Sequence, residues 1–307
     1  MITLEKRLIR IIYLEMHSSF HLGHVQICAP LKCHIRQTGK SRVSKRHHRS
    51  TPCSSQTLLE GSDYDSIIEQ LAVRALQLST SSKTENQKLL IGIAGVPGSG
   101  KSTLASLTAQ RINELAAATS GGISSVQGDD TIAVQLPMDG FHYYLEQLDA
   151  MPDPQEARAR RGAHWTFDAS AFIKCVSLVR ESGEASCPSF DHAQGDPVED
   201  AIHIRQHHRI VLIEGNYLLL DIPPWSELRK VLDDIWFVDI PVDVAMERVY
   251  QRQTSIGLSH EVSKARIASN DRPNAELIEF SKRHARVLIP SSIPFRDNRT
   301  AYSGTVW

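Results

Sequence analysis

The sequence predicts an α/β fold, a three-layer sandwich in which a mainly parallel sheet carries helices on both faces. Three observations predict it. Short apolar runs alternate with amphipathic stretches, the runs are too uniformly apolar to have one wet face, and a glycine-rich loop joins the first run to the helix after it.

Taken in order, Asp65 to Leu78 places Ile67, Ile68, Leu71, Ala75 and Leu78 on one helical face. A polar break follows, then Leu89 to Ala94 reads as a buried strand and Ser102 to Leu115 as a helix. The Gly/Ser-rich stretch from Thr119 to Gly128 is a loop, and Thr131 to Pro137 a second strand. Ala169 to Glu181 is helical. Ile210 to Ile213 and Ile235 to Asp239 are further strands. Asp243 to Gln253 and Asn274 to Arg286 read as helices, and Val287 to Ile289 as a last strand.

Residues 1–60 differ from the rest. Residues 1–50 carry ten Lys/Arg against Glu5 and Glu15, a local charge of +8 that leaves about -9 for the remainder of a chain whose net charge is -1. The polar tract Gln37 to Ser55 lacks the apolar residues that would repay ordering it, so 1–60 is expected to be a disordered basic extension. The segment 61–307 is expected to form one domain. A cytoplasmic protein is expected, with a mitochondrial leader through the basic start as the alternative, although Glu5 and Glu15 fit a leader badly. No apolar run approaches the roughly 18–20 residues of a membrane span, and an acidic globular part argues against nucleic acid as a partner. Five cysteines do not read as a disulfide framework, and Cys28, Cys33 and His34 lack the paired spacing of a zinc site.

Gly95-Val96-Pro97-Gly98-Ser99-Gly100-Lys101-Ser102 fits G-x-x-x-x-G-K-[ST], the phosphate-binding P-loop, in the strand–loop–helix context that the motif requires. Backbone N–H groups in such a loop converge as an anion nest, and the following helix adds the positive end of its dipole. Lys101 is expected to reach the β- and γ-phosphates of ATP, Ser102 to ligate Mg2+, and Thr103 to bond the α-phosphate. The fold is thus a P-loop NTPase sandwich. Two acidic residues follow strand ends, where ligands of open α/β sheets bind: Asp139 after Pro137, and Glu214 after Ile213. Asp139 is assigned to orient and deprotonate an acceptor hydroxyl, and Glu214 to hold the metal. A turn carboxylate capping a neighbouring helix is the alternative for each.

The order of P-loop, Asp139-Gly-Phe-His142 and Glu214-Gly-Asn216 resembles the uridine kinase and phosphoribulokinase group, which includes a bacterial type of pantothenate kinase. A bacterial and fungal branch of that group is more similar still, through Pro137-Met-Asp-Gly-Phe-His142, Arg161-Gly-Ala-His-Trp-Thr-Phe-Asp168, Phe190-Asp-His192 and Glu214-Gly-Asn-Tyr-Leu-Leu-Leu220. The resemblance covers Tyr64 to Pro290. It implies a kinase that transfers phosphate from ATP to a hydroxyl of a small metabolite, a nucleoside such as uridine or a related molecule. An ATPase acting as a switch or assembly factor is the alternative. It implies a catalytic base at Asp139 and a helical lid around 248–272, whose Arg248 and Arg252 close over the transferred phosphate. Spacing four apart does put those two arginines on one helical face. It also implies acceptor contacts from His142, Arg161, Asp168, Asp191 and His192. Asp168 reads equally as a helix N-cap, and Asp191 and His192 as residues ordering a loop. Phe190-Asp-His192 and Gln194-Gly-Asp196 stand where uridine kinases carry a Tyr-Asp-Phe stretch and a later His-x-Arg, which leaves the acceptor open. Trp165 and Trp236 are expected in the core, Tyr143 and Tyr144 in packing or facing substrate, and Cys175 on a buried helix face. Oligomeric state is left open, with a homodimer among the options.

Overall fold

The computed structural model describes residues 56–81, 87–119, 131–191 and 193–292, all within one compact unit, Cys53–Trp307. The expectations for residues 1–55, for Cys28, Cys33 and His34, for His192 and for most of the Gly/Ser loop lie outside the described residues.

Eight strands are described: β1 (Thr57–Leu58), β2 (Leu89–Gly95), β3 (Ala133–Pro137), β4 (Ala185–Asp191), β5 (Asp196–Ile204), β6 (Ile210–Gly215), β7 (Asp234–Asp239) and β8 (Val287–Pro290). Six of them form an all-parallel sheet in the order β1-β8-β7-β2-β6-β3. The α-helices are α1 (Tyr64–Ser81), α2 (Lys101–Thr119), α3 (Leu145–Asp149), α4 (Pro154–Ala159), α5 (Ala169–Ser182), α6 (Val242–Ser255), α7 (His260–Arg266) and α8 (Arg272–Ser281).

Strand alternation sends side chains to two separate cores. Ile91 and Ile93 of β2, Leu212 of β6 and Trp236 of β7 pack with α1 and α2 on one face. Leu90 and Ala94, Val211 and Ile213, and Phe237 pack with α5, α6 and α8 on the other. That is why β2 is buried along its whole length and why its sequence shows no polar alternation. The α1 face read from the sequence is the one that is buried: Ile67 and Leu71 are fully covered, each burial contributing about 1.5–3 kcal/mol. Helix α5 begins at an Asp168 N-cap accepting from the Ala171 N–H at 2.8 Å and stops at Gly183 with φ +76°.

The structure departs from the sequence reading in four places. The sheet takes in Thr57 and Leu58, four residues before the expected domain start, because Thr57 and Leu59 donate N–H bonds to Arg286 and Leu288 carbonyls. The helix read as Asn274 to Arg286 ends at Ser281; Lys282–His284 is a 3-10 turn, and Ala285 is already extended so that Val287 can enter the sheet buried. Trp236 is core, but Trp165 is 38% exposed in a 3-10 turn whose Thr166 is the residue turned inward. The antiparallel β4–β5 hairpin was not legible. Its face is mixed and β4 carries Pro188 at a register shift, so no clean period-2 pattern survives. Cys175 does pack against the core, its Sγ 2.7 Å from that of Cys187. Among the described residues no helix is long and apolar enough to cross a membrane.

Candidate active site

The site lies at the carboxyl ends of β2, β6 and β3. Sheet register brings its parts together: Glu214 of β6 is paired with Ile93 of β2 on one side and with Pro137 of β3 on the other. Two residues beyond each neighbour lie, respectively, Gly95, where the phosphate loop begins, and Asp139.

The phosphate loop runs from Gly95, the last residue of β2, to Lys101, the first of α2. The Ser99 N–H bonds the Val96 carbonyl at 3.0 Å, and the Leu104 N–H bonds that of Gly100 at 2.9 Å, which closes the loop and starts the helix. Gly98 has φ +81°, and a Cβ there would stand 2.4 Å from the Ala245 carbonyl oxygen of α6. Only glycine allows both that conformation and the close approach of α6.

Ser102 Oγ donates to Glu214 Oε1 at 3.0 Å. Glu214 is 4% exposed, and burial pushes its carboxyl up to about 7; Lys101 opposes this, Asp139 adds to it, and hydrogen bonds from Ser102 and Gln135 oppose it again. Ser102 thus touches Glu214, and Lys101 and Asp139 lie near enough for their charges to act on it. All the oxygen donors there are hydroxyl or carboxylate, the set a hard divalent cation such as Mg2+ takes. Among the described residues no group of three or more His, Cys, Asp or Glu side chains is placed to hold a metal ion.

Asp139 is held by its backbone. It lies in the 3-10 turn Met138–Phe141, and its carbonyl accepts from the His142 N–H at 3.2 Å and from His142 Nδ1 at 2.8 Å. A carbonyl only accepts, so Nδ1 carries the proton. The His142 ring is in turn held between Phe167, 3.9 Å away, and Phe190, 4.7 Å away. Gly140 abuts the hairpin: a Cβ there would lie 2.1 Å from the Pro188 carbonyl oxygen. Gly140→Ala is expected to force β4 and the Asp139 turn apart, lowering stability by about 1–3 kcal/mol and lowering activity as well. Thermal unfolding followed by circular dichroism, together with turnover, checks this; an unchanged melting temperature would mean that the hairpin does not bear on the turn.

A cleft of about 610 Å³ opens beside the loop, lined by Gly98, Lys101, Ser102 and Thr103 on one wall and by Arg248 and Arg252 of α6 on the other. Both arginines assigned to the lid therefore face the P-loop. Arg248 is already engaged there: it donates to Ser291 Oγ at 2.9 Å and to the Ser291 carbonyl at 2.8 Å, while Ser291 Oγ donates to the Ser99 carbonyl at 2.5 Å. Ser291 thus ties the loop to the lid. It lies just past the last strand, with no sequence signal beyond its position.

The residues assigned to the acceptor divide. Arg161 lies over the Phe190 ring at 5.5 Å and donates to the Tyr143 carbonyl at 3.0 Å and to Asp196 at 3.1 Å. Burial works against its charge and Asp196 supports it. Asp168 is the N-cap of α5, and Asp191 Oδ1 accepts from the Ala193 and Gln194 N–H groups, ordering the hairpin turn. For these two the local structural reading is the one the geometry displays. Tyr144 donates to Glu199 at 2.5 Å, and Asp168 and burial both raise the Tyr143 phenol, burial the more.

Comparison with known proteins finds relatives over most of the described residues. The model of the Phosphoribulokinase / Uridine kinase family matches residues 90–295. The chain is 41% identical over 215 residues to "Putative uridine kinase C227.14" of Schizosaccharomyces pombe, covering 69% of this chain and 85% of that protein. It is 33% identical over 225 residues to the Escherichia coli protein YggC, covering 72% and 86%. Among solved structures, a "putative fructose transport system kinase" from Silicibacter sp. TM1040 superposes with a TM-score of 0.61 at 28% identity, covering 72% of this chain and 98% of that one.

Proposed function

The chain belongs to the phosphoribulokinase / uridine kinase family of P-loop kinases, and from that premise we propose that it transfers the γ-phosphoryl group of ATP to a hydroxyl of a small metabolite. The observation that carries this reading is the convergence of Lys101, Ser102, Asp139 and Glu214 beside a cleft walled by two lid arginines. A module that only binds nucleotide has no use for a second carboxylate at the acceptor side.

Each residue has a place in the reaction. The loop amides and Lys101 bind the phosphates. Asp139 accepts a hydrogen bond from the acceptor hydroxyl, orients its oxygen in line with the γ-phosphorus, and takes its proton onto a carboxylate oxygen as the new P–O bond forms and ADP leaves. Arg252, with Arg248, faces the charge that spreads over the transferred group. Ser102 and Glu214 are the residues to hold Mg2+, which when bound neutralises charge on the β- and γ-phosphates. Closure of the lid arginines over the cleft excludes water from the transfer.

The acceptor is placed beside Arg161 and His142, which both lie against Phe190 of the β4–β5 hairpin. The name of the fission yeast relative favours uridine; the Phe190-Asp-His192 stretch supports a related but different hydroxyl compound. A panel of nucleosides, pantothenate and sugar phosphates incubated with γ-labelled ATP tests the proposal. Label is expected in one acceptor product. ADP formed at full rate with label only in inorganic phosphate, across the panel, would instead support an ATPase that acts as a switch.

A further inference from the structure

The nucleotide wall and the acceptor wall come from segments far apart in sequence, yet a buried polar chain joins them. Gln253 follows Arg252 on α6 and is 7% exposed. Its Nε2 donates to Asp271 Oδ2 at 2.9 Å, and its Oε1 accepts from Ser263 Oγ at 2.9 Å. Asp271 is the last residue of a single π turn, Ile267–Asp271, set between α7 and α8. The residue before it, Asn270, is 1% exposed and fully engaged. Its Nδ2 donates to the Arg161 carbonyl at 2.9 Å, and its Oδ1 accepts from Arg160 Nε at 3.2 Å and from Asn274 Nδ2 at 3.0 Å. From the opposite side, the Tyr217 hydroxyl, three residues after Glu214, donates to the Gly162 carbonyl at 2.5 Å. Residues 160–162 are thus gripped between the π turn and the loop after β6 that carries Tyr217, three residues beyond Glu214.

The physical features favour coupling over simple packing. A π turn widens the helix and gives up the regular hydrogen-bond ladder, and such turns recur at functional sites. A buried amide whose donor and acceptor are both satisfied by the same segment defines that segment's position sharply, because any shift leaves a polar group unpaired. Charge also reaches across: burial raises the Asp271 carboxyl, while Gln253, Arg266 and Arg252 act to keep it ionised.

We propose that Asn270 is a positioning residue that sets the acceptor wall when nucleotide occupies the cleft. Nucleotide held by Arg248 and Arg252 fixes α6; Gln253 and Asp271 carry that constraint to the π turn; Asn270 then fixes the Arg160–Gly162 backbone, and with it the Arg161 side chain over Phe190. This rests on the kinase reading above. It makes ATP and acceptor bind in favour of one another, since whichever arrives second meets a wall already ordered.

Hydrogen–deuterium exchange on the full chain, with and without the non-hydrolysable imido analogue of ATP plus magnesium, tests it. In the natural protein the analogue is expected to slow exchange in peptides spanning 158–168 as well as in the P-loop. Asn270→Asp keeps the shape and both accepting bonds but removes the donor to the Arg161 carbonyl. That variant is expected to bind the analogue with unchanged affinity and to lose the added protection at 158–168. With the acceptor in hand, its affinity for the analogue-bound variant is expected to fall about tenfold, the worth of one buried hydrogen bond, and the affinity for the analogue with acceptor present falls by the same factor, because the coupling is reciprocal. If Asn270→Asp does not fold, as judged by circular dichroism, Asn270→Ser replaces it. Protection at 158–168 that persists in the variant, or that never appears in the natural protein although the analogue binds, overturns the proposal. Failure of the analogue to bind at all would overturn the kinase reading instead.

Discussion

Asp139→Asn is expected to lower kcat by about 10²–10⁴-fold, the range spanned by a positioned general base, while ATP still binds. The substitution keeps the volume and the backbone, and the backbone is what the surroundings hold: His142 contacts the Asp139 carbonyl by both its N–H and its Nδ1. The fold of the turn Met138–Phe141 should therefore survive. What is lost is a proton acceptor at the end of β3. Nucleotide affinity is expected to hold or improve, because the Asp139 charge works against ionisation of Glu214, the carboxylate on the metal side. Single-turnover transfer of labelled phosphate, set beside equilibrium binding of an ATP analogue, reads both effects. Full transfer rate in the variant would remove Asp139 from the chemistry and leave orientation by Lys101 and the arginines to account for all of it.

The same site shows how far sequence carries. The P-loop was legible because its chemistry is local: a strand, glycines, a lysine and a hydroxyl within eight residues. Glu214 and Asp139 were legible because a parallel sheet brings strand ends to one edge, so a carboxylate after an apolar run points to that edge. Arg248 and Arg252 needed the family resemblance to be singled out, since helical spacing alone also describes a solvated basic face. The β4–β5 hairpin, Ser291 and Asn270 were beyond reach. Each matters through a partner distant in sequence: Pro188 against Gly140, Ser291 against Ser99, Asn270 against Arg161. Local pattern carries no trace of such pairs. The two aspartates assigned to the acceptor illustrate the converse. Asp168 and Asp191 have strong local roles, a helix cap and a turn, and a motif match cannot separate a residue kept for its local backbone from one kept for substrate.

Lys101→Ala is expected to remove turnover, a loss of at least about 10²–10³-fold from the missing positive charge alone, and to weaken ATP binding as well. The two losses together distinguish it from Asp139→Asn, which spares binding. Lys101 acts in two directions at once. It lines the cleft from the first turn of α2, where the phosphates are proposed to bind, and it is the main influence opposing the burial that raises Glu214. Lys101→Arg should not restore function, because a planar fork replaces a compact ammonium in a loop whose Gly98 already lies against the Ala245 carbonyl with no room to yield. The decisive comparison is the double variant. If Lys101 and Asp139 serve one transition state, removing both should cost little more than removing Lys101 alone, since residues that act as a unit are far from additive. Losses that simply multiply would mean that the two act in separate steps, and that the carboxylate at the end of β3 and the lysine of the loop do not share a phosphoryl group.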